Sequence, residues 1–261
     1  MTKLQIGVVG LAVTLFVVLY FVFDTKPPEQ KEVEKARSLT SEMTDIASLL
    51  KEAKDTLSPA MLSTVHAFEE RVKEAGSDSA QVKVYEEMAG LWYDLGRPDL
   101  SGYYAMQIAG KVQTEEAWSI AGTTFTICLQ TQDNPKVLDY CSNRAVESFE
   151  GAISLNPENL NHRVNLALAY TEYPPKDNPM QGILMLVDLN KKYPENTLVL
   201  ENLGRLAIKT GQFEKAKERL EKAYSLSPDN LKVICLLAQT YESLGDAEKA
   251  SEFISRCQAG K

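Results

Sequence analysis

The C-terminal part of the chain repeats with a period of 34 residues, and this period constrains the fold more than any other feature. In the clearest copies, two large apolar residues three positions apart precede a small residue, and a second run opens with an alanine. The first run of the two clearest copies contains Leu200, Leu203, Gly204 and Ala207, and then Ile234, Leu237, Ala238 and Tyr241. The second run contains Ala216, Leu220 and Ala223, and then Ala250, Ile254 and Cys257. A fixed period of this length is typical of an architecture in which each unit buries its apolar face by stacking on its neighbours.

The residues between the runs predict pairs of helices. Spacings of three and four place the large residues on one stripe of a helix, and the small residue leaves a notch that lets the second helix approach. Glycines fall where the first helix must end in a left-handed conformation, at Gly96, Gly211 and Gly245. Prolines follow the second helix, at Pro157, Pro194 and Pro228. Because several hairpins must stack to bury a continuous core, we predict an all-α solenoid.

Three earlier copies fit the same pattern, one with a longer loop, one with an insertion around Pro174 and Pro175, and one without the closing proline. The pattern resembles the tetratricopeptide repeat (TPR) family, in its N-terminally membrane-anchored bacterial type. The resemblance implies a right-handed α-solenoid of helix hairpins over residues 82–261. The expected helix pairs are 82–114, 115–159, 160–196, 197–230 and 231–258.

A run of twenty residues without a charge, Leu4–Phe23, precedes the repeats. A helix of that length, at about 1.5 Å per residue, spans roughly 30 Å, the thickness of the bilayer core. No small-x-small cleavage site follows it, which favours an uncleaved anchor over a signal peptide. We therefore predict a transmembrane anchor over 1–24 and a single-pass protein of the bacterial inner membrane. The repeats are expected to face the periplasm, because long domains translocate largely regardless of the flanking Lys and Arg residues.

Between the anchor and the repeats, residues 25–58 are predicted to form a linker helix. Its apolar residues alternate in steps of three and four, at Ala36, Leu39, Met43, Ile46, Leu50, Ala53 and Leu57. Two interpretations remain open: a parallel coiled-coil stalk, or a helix that lays this stripe on the protein's own body. Ser58 as a cap and Pro59 in the first turn predict the start of a leading helix within 59–81.

The sequence predicts no reaction chemistry. With 28 Lys and Arg against 36 Asp and Glu, the net charge is −8, which argues against a nucleic-acid partner. The two histidines exclude a multi-histidine metal site; His66 is expected to be a partly exposed helix residue, and His162 a capping or exposed residue. No glycine-rich phosphate loop and no activated nucleophile are recognisable. We predict that the chain is not an enzyme and has no cofactor and no metal.

The sequence leads to different predictions for the first two cysteines and for the last two. Cys128 and Cys141 are predicted to lie at the same level of one antiparallel helix pair. They either bridge the loop 129–140 in an oxidising compartment or remain two buried free thiols. Cys257 is assigned to core packing, and Cys235 is expected to face the groove.

Residues just beside the core positions of the first helices are expected to line a concave groove, which in TPR domains binds proteins or peptides. The predicted groove residues are Glu86, Tyr93, Ser119, Thr123, Thr126, Val164, Leu168, Glu201, Arg205, Ile208, Gln239 and Glu242. They mix apolar side chains with both signs of charge. The Lys, Arg and Asn set with which some TPR proteins hold a C-terminal carboxylate is missing from the matching stretch, which argues against that type of partner.

We therefore predict a membrane-anchored scaffold or adaptor that binds a protein or peptide partner in this groove. The alternative is a self-oligomerising structural component of an envelope complex, a homo-oligomer built through the heptad stripe and the last hairpin. For that alternative, the edge of the last hairpin near Phe253 and Ile254 is expected to be partly open.

Overall fold

The computed structural model describes residues 46–260, and α-helices joined by short turns make up this part of the chain. The twelve helices of this range are α1 Ile46–Asp55, α2 Pro59–Glu74, α3 Asp78–Asp94, α4 Pro98–Val112, α5 Glu115–Thr131, α6 Pro135–Leu155, α7 Leu160–Glu172, α8 Gln181–Lys192, α9 Thr197–Lys209, α10 Phe213–Leu226, α11 Leu231–Leu244 and α12 Ala247–Ala259. No strand occurs between residues 46 and 260, so the predicted all-α class is confirmed there.

The predicted membrane anchor, Leu4–Phe23, lies outside the described residues. From residue 46 to residue 260, no helix is both long enough and apolar enough to cross a bilayer. The predicted localisation, a single-pass inner-membrane protein with periplasmic repeats, is therefore wrong for the described part of the chain. The longest helix of this range, α6, has 21 residues but carries five charged side chains between Lys136 and Glu150.

Local signals in the sequence determine where the helices begin and end. Ser58 caps α2 by accepting a hydrogen bond from the Met61 N–H, as predicted, and Thr114 caps α5 by accepting one from the Ala117 N–H. Asparagines cap three later first helices, Asn159 on α7, Asn196 on α9 and Asn230 on α11. The turn glycines Gly96, Gly211 and Gly245 have φ of 71°, 71° and 78°, which confirms the predicted left-handed positions.

Side chains of the second helices fill the notches in the first helices. A methyl group on Gly122 of α5 would lie 2.7 Å from the ring of Phe149 on α6. One on Gly204 of α9 would lie 2.5 Å from Leu220 on α10. Both distances are shorter than van der Waals contact, so the close approach of paired helices depends on glycine at these positions.

The apolar stripe of α1 lies on the chain's own body. Leu49 and Ala53 are buried, and Ile46, Leu50 and Leu57 pack against the same core, which α3 to α6 share. Helix α1 contacts α4. For the described part of the stripe, the second of the two interpretations therefore applies; Ala36, Leu39 and Met43 lie outside the described residues.

Successive hairpins stack through their first helices. Helix α5 contacts α7, α7 contacts α9, and α9 contacts α11. Helix α9 contributes residues to two neighbouring core clusters, with Leu203 on one side and Leu200 on the other. Stacking of this kind buries the continuous core that the repeat pattern predicts.

The expected open edge at the last hairpin is wrong for Phe253, which is buried. Its ring packs between Tyr224 of α10 and Tyr241 of α11, with centroid distances of 5.3 Å and 5.5 Å. The guanidinium of Arg256 lies over the rings of Tyr224 and Phe253. Aromatic contacts and this cation thus cover Phe253, whereas Ile254 is half-buried, as the expectation of a partly open edge has it.

Candidate functional site

The candidate site is the first-helix face, the surface formed by the predicted groove residues of α3, α5, α7, α9 and α11. The structure places ten of these twelve residues at least partly in solvent. The exposed ones are Glu86, Tyr93, Thr123, Gln239 and Glu242, and the half-buried ones are Ser119, Thr126, Leu168, Arg205 and Ile208. Tyr93 is 51% exposed and is the most exposed aromatic residue between residues 46 and 260.

Two predicted groove residues are buried instead. Val164 is 0% exposed because it belongs to the core between α7, α8 and α9. Glu201 is 8% exposed, and its Oε2 accepts a hydrogen bond of 3.1 Å from the Nδ2 of Asn230, the cap of the next first helix. The carboxylate of Glu201 therefore joins two hairpins, and it is already engaged within the chain.

Three charged residues connect α7 and α9 on the first-helix face. Glu172 lies 3.9 Å from the guanidinium of Arg205 and 3.7 Å from the ammonium of Lys209. The side chain of Glu172 is 13% exposed, whereas those of Arg205 and Lys209 are 38% and 62% exposed. Two accessible cations thus share one largely buried carboxylate, at distances near the upper limit for an ion pair.

Half-buried aliphatic side chains accompany these charges. Leu168 lies one helical turn before Glu172, and Ile208 directly precedes Lys209. Sequence reasoning missed Glu172 and Lys209, although each lies four residues after a predicted groove residue, Leu168 or Arg205. Since residues four apart share one face of a helix, this spacing is the signal that could have found them.

A partly buried polar cluster joins the second and third hairpins. The carboxylate of Glu115 on α5 accepts hydrogen bonds from Nδ2 of Asn156, at 2.8 Å, and from Nδ2 of Asn159, at 3.1 Å. It also lies 2.5 Å from Nε2 of His162. These hydrogen bonds, that of Asn156 first, hold the pKa of the Glu115 carboxyl below its ordinary value.

The expectation that His162 is a capping or exposed residue is wrong, because the side chain is buried and directed at Glu115. The partner belongs to the preceding hairpin, 47 residues earlier, so no local pattern indicates it. Within residues 46–260, no cluster of three or more His, Cys, Asp or Glu residues is arranged to hold a metal ion.

Two hairpins each contain a disulfide that joins their two helices. Cys128 of α5 is bonded to Cys141 of α6, with 6.2 Å between the Cα atoms. Cys235 of α11 is bonded to Cys257 of α12, with 5.0 Å between the Cα atoms. The assignment of Cys257 to packing alone and of Cys235 to the groove is therefore corrected. Cys235 and Cys257 lie about equally far in sequence from the turn at Gly245, so the antiparallel helices place them opposite each other. This spacing in the sequence could have predicted the bond.

The comparisons with known proteins agree with the repeat pattern. The sequence model of the tetratricopeptide repeat matches residues 207–258. No curated protein sequence matches the chain. A thermophilic TPR protein of Thermus thermophilus superposes with a TM-score of 0.50 at 19% identity, covering 69% of this chain and 91% of that protein.

Two further solved structures are similar at lower scores. MamA from residue 41 onward, of Desulfovibrio magneticus RS-1, has a TM-score of 0.43 at 17% identity and covers 69% of this chain and 94% of that one. PilF of Pseudomonas aeruginosa has a TM-score of 0.46 at 16% identity and covers 70% and 78%. Both TM-scores are below 0.5, so these two similarities are not used to assign the fold. The repeat model therefore matches the segment from the end of α9 to α12, and the Thermus thermophilus protein shares the fold of this chain.

Proposed function

We propose that this chain is a scaffold or adaptor that binds a protein or peptide partner on the first-helix face. The repeat family supports this function, since stacked hairpins present an extended surface for binding. The composition of the face supports it as well. Exposed Tyr93 and half-buried Arg205, Leu168 and Ile208 are residue types that protein interfaces combine.

The observation that carries the proposal is the charge arrangement between α7 and α9. Arg205 and Lys209 remain accessible although both lie within 4 Å of Glu172. A carboxylate of a partner can accept hydrogen bonds from the exposed guanidinium of Arg205 or the ammonium of Lys209, while Leu168 and Ile208 offer apolar contact beside them. We therefore place the centre of the binding surface at α7 and α9.

The test compares two double variants of the full chain. Arg205→Gln with Lys209→Gln removes both cations from the first-helix face. Lys215→Gln with Lys222→Gln makes the same change of charge on exposed positions of the second helix α10. We expect the first variant to lose partner binding about ten-fold or more, equivalent to about 1.4 kcal/mol, and the control to bind normally.

Circular dichroism must show that both variants remain helical. Partner capture by affinity purification and then titration of the captured protein measure the effect. Equal binding by the two variants contradicts the proposed surface. Self-assembly, the alternative function, is checked on the same samples by light scattering. Of the two edge residues on which this alternative rests, Phe253 is buried and Ile254 is half-buried.

A further inference from the structure

The two disulfides differ in their access to solvent. Cys128 and Cys141 are both 0% exposed and belong to the main core cluster. Cys235 and Cys257 are half-buried. A thiolate must reach one sulfur of a disulfide to cleave it, so access determines which bond reacts in the folded protein. The first bond is fully buried, whereas the second joins two residues that are partly accessible to solvent.

The surroundings of the second bond also differ. Cys128 and Cys141 lie on either side of the short turn between α5 and α6. Both of these helices also contact α4 and α7. Cys235 and Cys257 lie at the opposite end of their hairpin from the turn at Gly245, in the second turn of α11 and the last turn of α12. Both bonds join the last turn of one helix to the second turn of its partner, so the difference between them is their burial.

We propose that Cys235–Cys257 is a thiol–disulfide exchange site whose reductant is a dithiol, while Cys128–Cys141 stays oxidised. One thiolate of the dithiol attacks a sulfur of the pair and displaces the other cysteine as a thiolate, which takes a proton. The second thiolate then attacks the mixed disulfide and releases the remaining cysteine thiolate, which is protonated in turn. Two electrons pass to the protein, and the dithiol becomes a disulfide.

Reduction leaves the fold of the last hairpin in place but changes the first-helix face. Helix α12 remains attached through Phe253, which packs against Tyr224 and Tyr241. The reduced Cys235 carries a free thiol one helical turn before Gln239, a residue of the first-helix face. The site therefore gives this surface two covalent states. This inference does not depend on the proposed function, since it concerns the reactivity of the bond alone.

The test uses the purified full chain with both disulfides formed, and Cys128–Cys141 serves as the internal control. Dithiothreitol is added under native conditions, free thiols are trapped with N-ethylmaleimide at intervals, and peptide mass spectrometry locates the labels. We expect labelling of Cys235 and Cys257 to be about ten-fold faster, or more, than labelling of Cys128 and Cys141, because the buried pair must wait for its hairpin to open.

A parallel series in concentrated guanidinium chloride unfolds the chain and should remove this difference, because both bonds are then equally accessible. Equal rates under native conditions would overturn the proposal, as would faster reduction of Cys128–Cys141. A difference that persists in the denaturant would also overturn it, since the difference would then arise from local sequence and not from the folded structure.

Discussion

Replacing Gly182 by alanine is expected to force α7 and α8 apart. Gly182 lies in the first turn of α8 and faces the backbone of α7. A methyl group there would lie 2.3 Å from the carbonyl oxygen of Ala167 and 2.9 Å from the amide nitrogen of Thr171. Because backbone atoms cannot rotate away as a side chain can, the two helices themselves must move.

The magnitude follows from the size of that movement. The helices must separate by roughly 1 Å to restore ordinary van der Waals contact. Overpacking of this kind costs typically 1–3 kcal/mol, whereas alanine gains up to about 1 kcal/mol over glycine in a helix interior and less in a first turn. We therefore expect Gly182→Ala to lower the free energy of unfolding by about 2 kcal/mol.

Gly90→Ala is the matched control. Gly90 lies within α3, and a methyl group built on it meets no atom within 4 Å. Only the helix propensity changes, so this variant should gain about 0.5–1 kcal/mol. Urea unfolding followed by circular dichroism measures both effects. The steric reasoning is refuted if Gly182→Ala is as stable as the parent chain, or if Gly90→Ala loses a similar amount.

Two further predictions concern the polar joints between hairpins. The pKa of Glu115 is lowered in the folded state, so its ionised form contributes stability above the pKa of the unfolded chain, and this contribution is lost as the pH falls through the folded pKa. Glu115→Gln should flatten the acid side of a plot of unfolding free energy against pH; an unchanged acid slope would contradict the assignment. Asn230→Ala removes the cap of α11 and the hydrogen-bond partner of Glu201, and it should cost about 1–2 kcal/mol in urea unfolding. Asn230→Ser, which keeps a capping oxygen, should recover part of that loss, and failure to do so would count against the capping role.

The sequence was sufficient to predict helix ends and turns wherever a residue acts only on its immediate neighbours in the chain. Glycine at 211 and 245 is required by positive φ, Ser58 and Thr114 satisfy amide groups one turn away, and the prolines stop the second helices within two or three residues. These effects operate over a few residues, so the pattern of residue types contains them. The 34-residue period then determines the helix pairs and their stacking.

The groove was predictable only in outline. Ten of twelve residues reach the surface because a helical period determines which side of a helix a residue lies on. Val164 and Glu201 are buried because the neighbouring hairpin covers them, and the period of one helix does not describe its neighbour. Glu172 and Lys209 belong to the surface because of a contact between two helices. Glu172 on α7 lies within 4 Å of both Arg205 and Lys209 on α9, and the period of a single helix does not reveal such a contact.

By itself, then, the sequence determined the helices, their ends and the repeated pairing of the helices, because these depend on short-range sterics and on a repeated spacing. Tertiary packing decided that His162 reaches back to Glu115, that Phe253 is covered, and that Cys235 meets Cys257. Tertiary packing also decided that residue 182 must be glycine. The equivalent residue in three other repeats is alanine, at Ala145, Ala216 and Ala250. Each of these depends on the distance between two helices, a quantity set by all the side chains between them together.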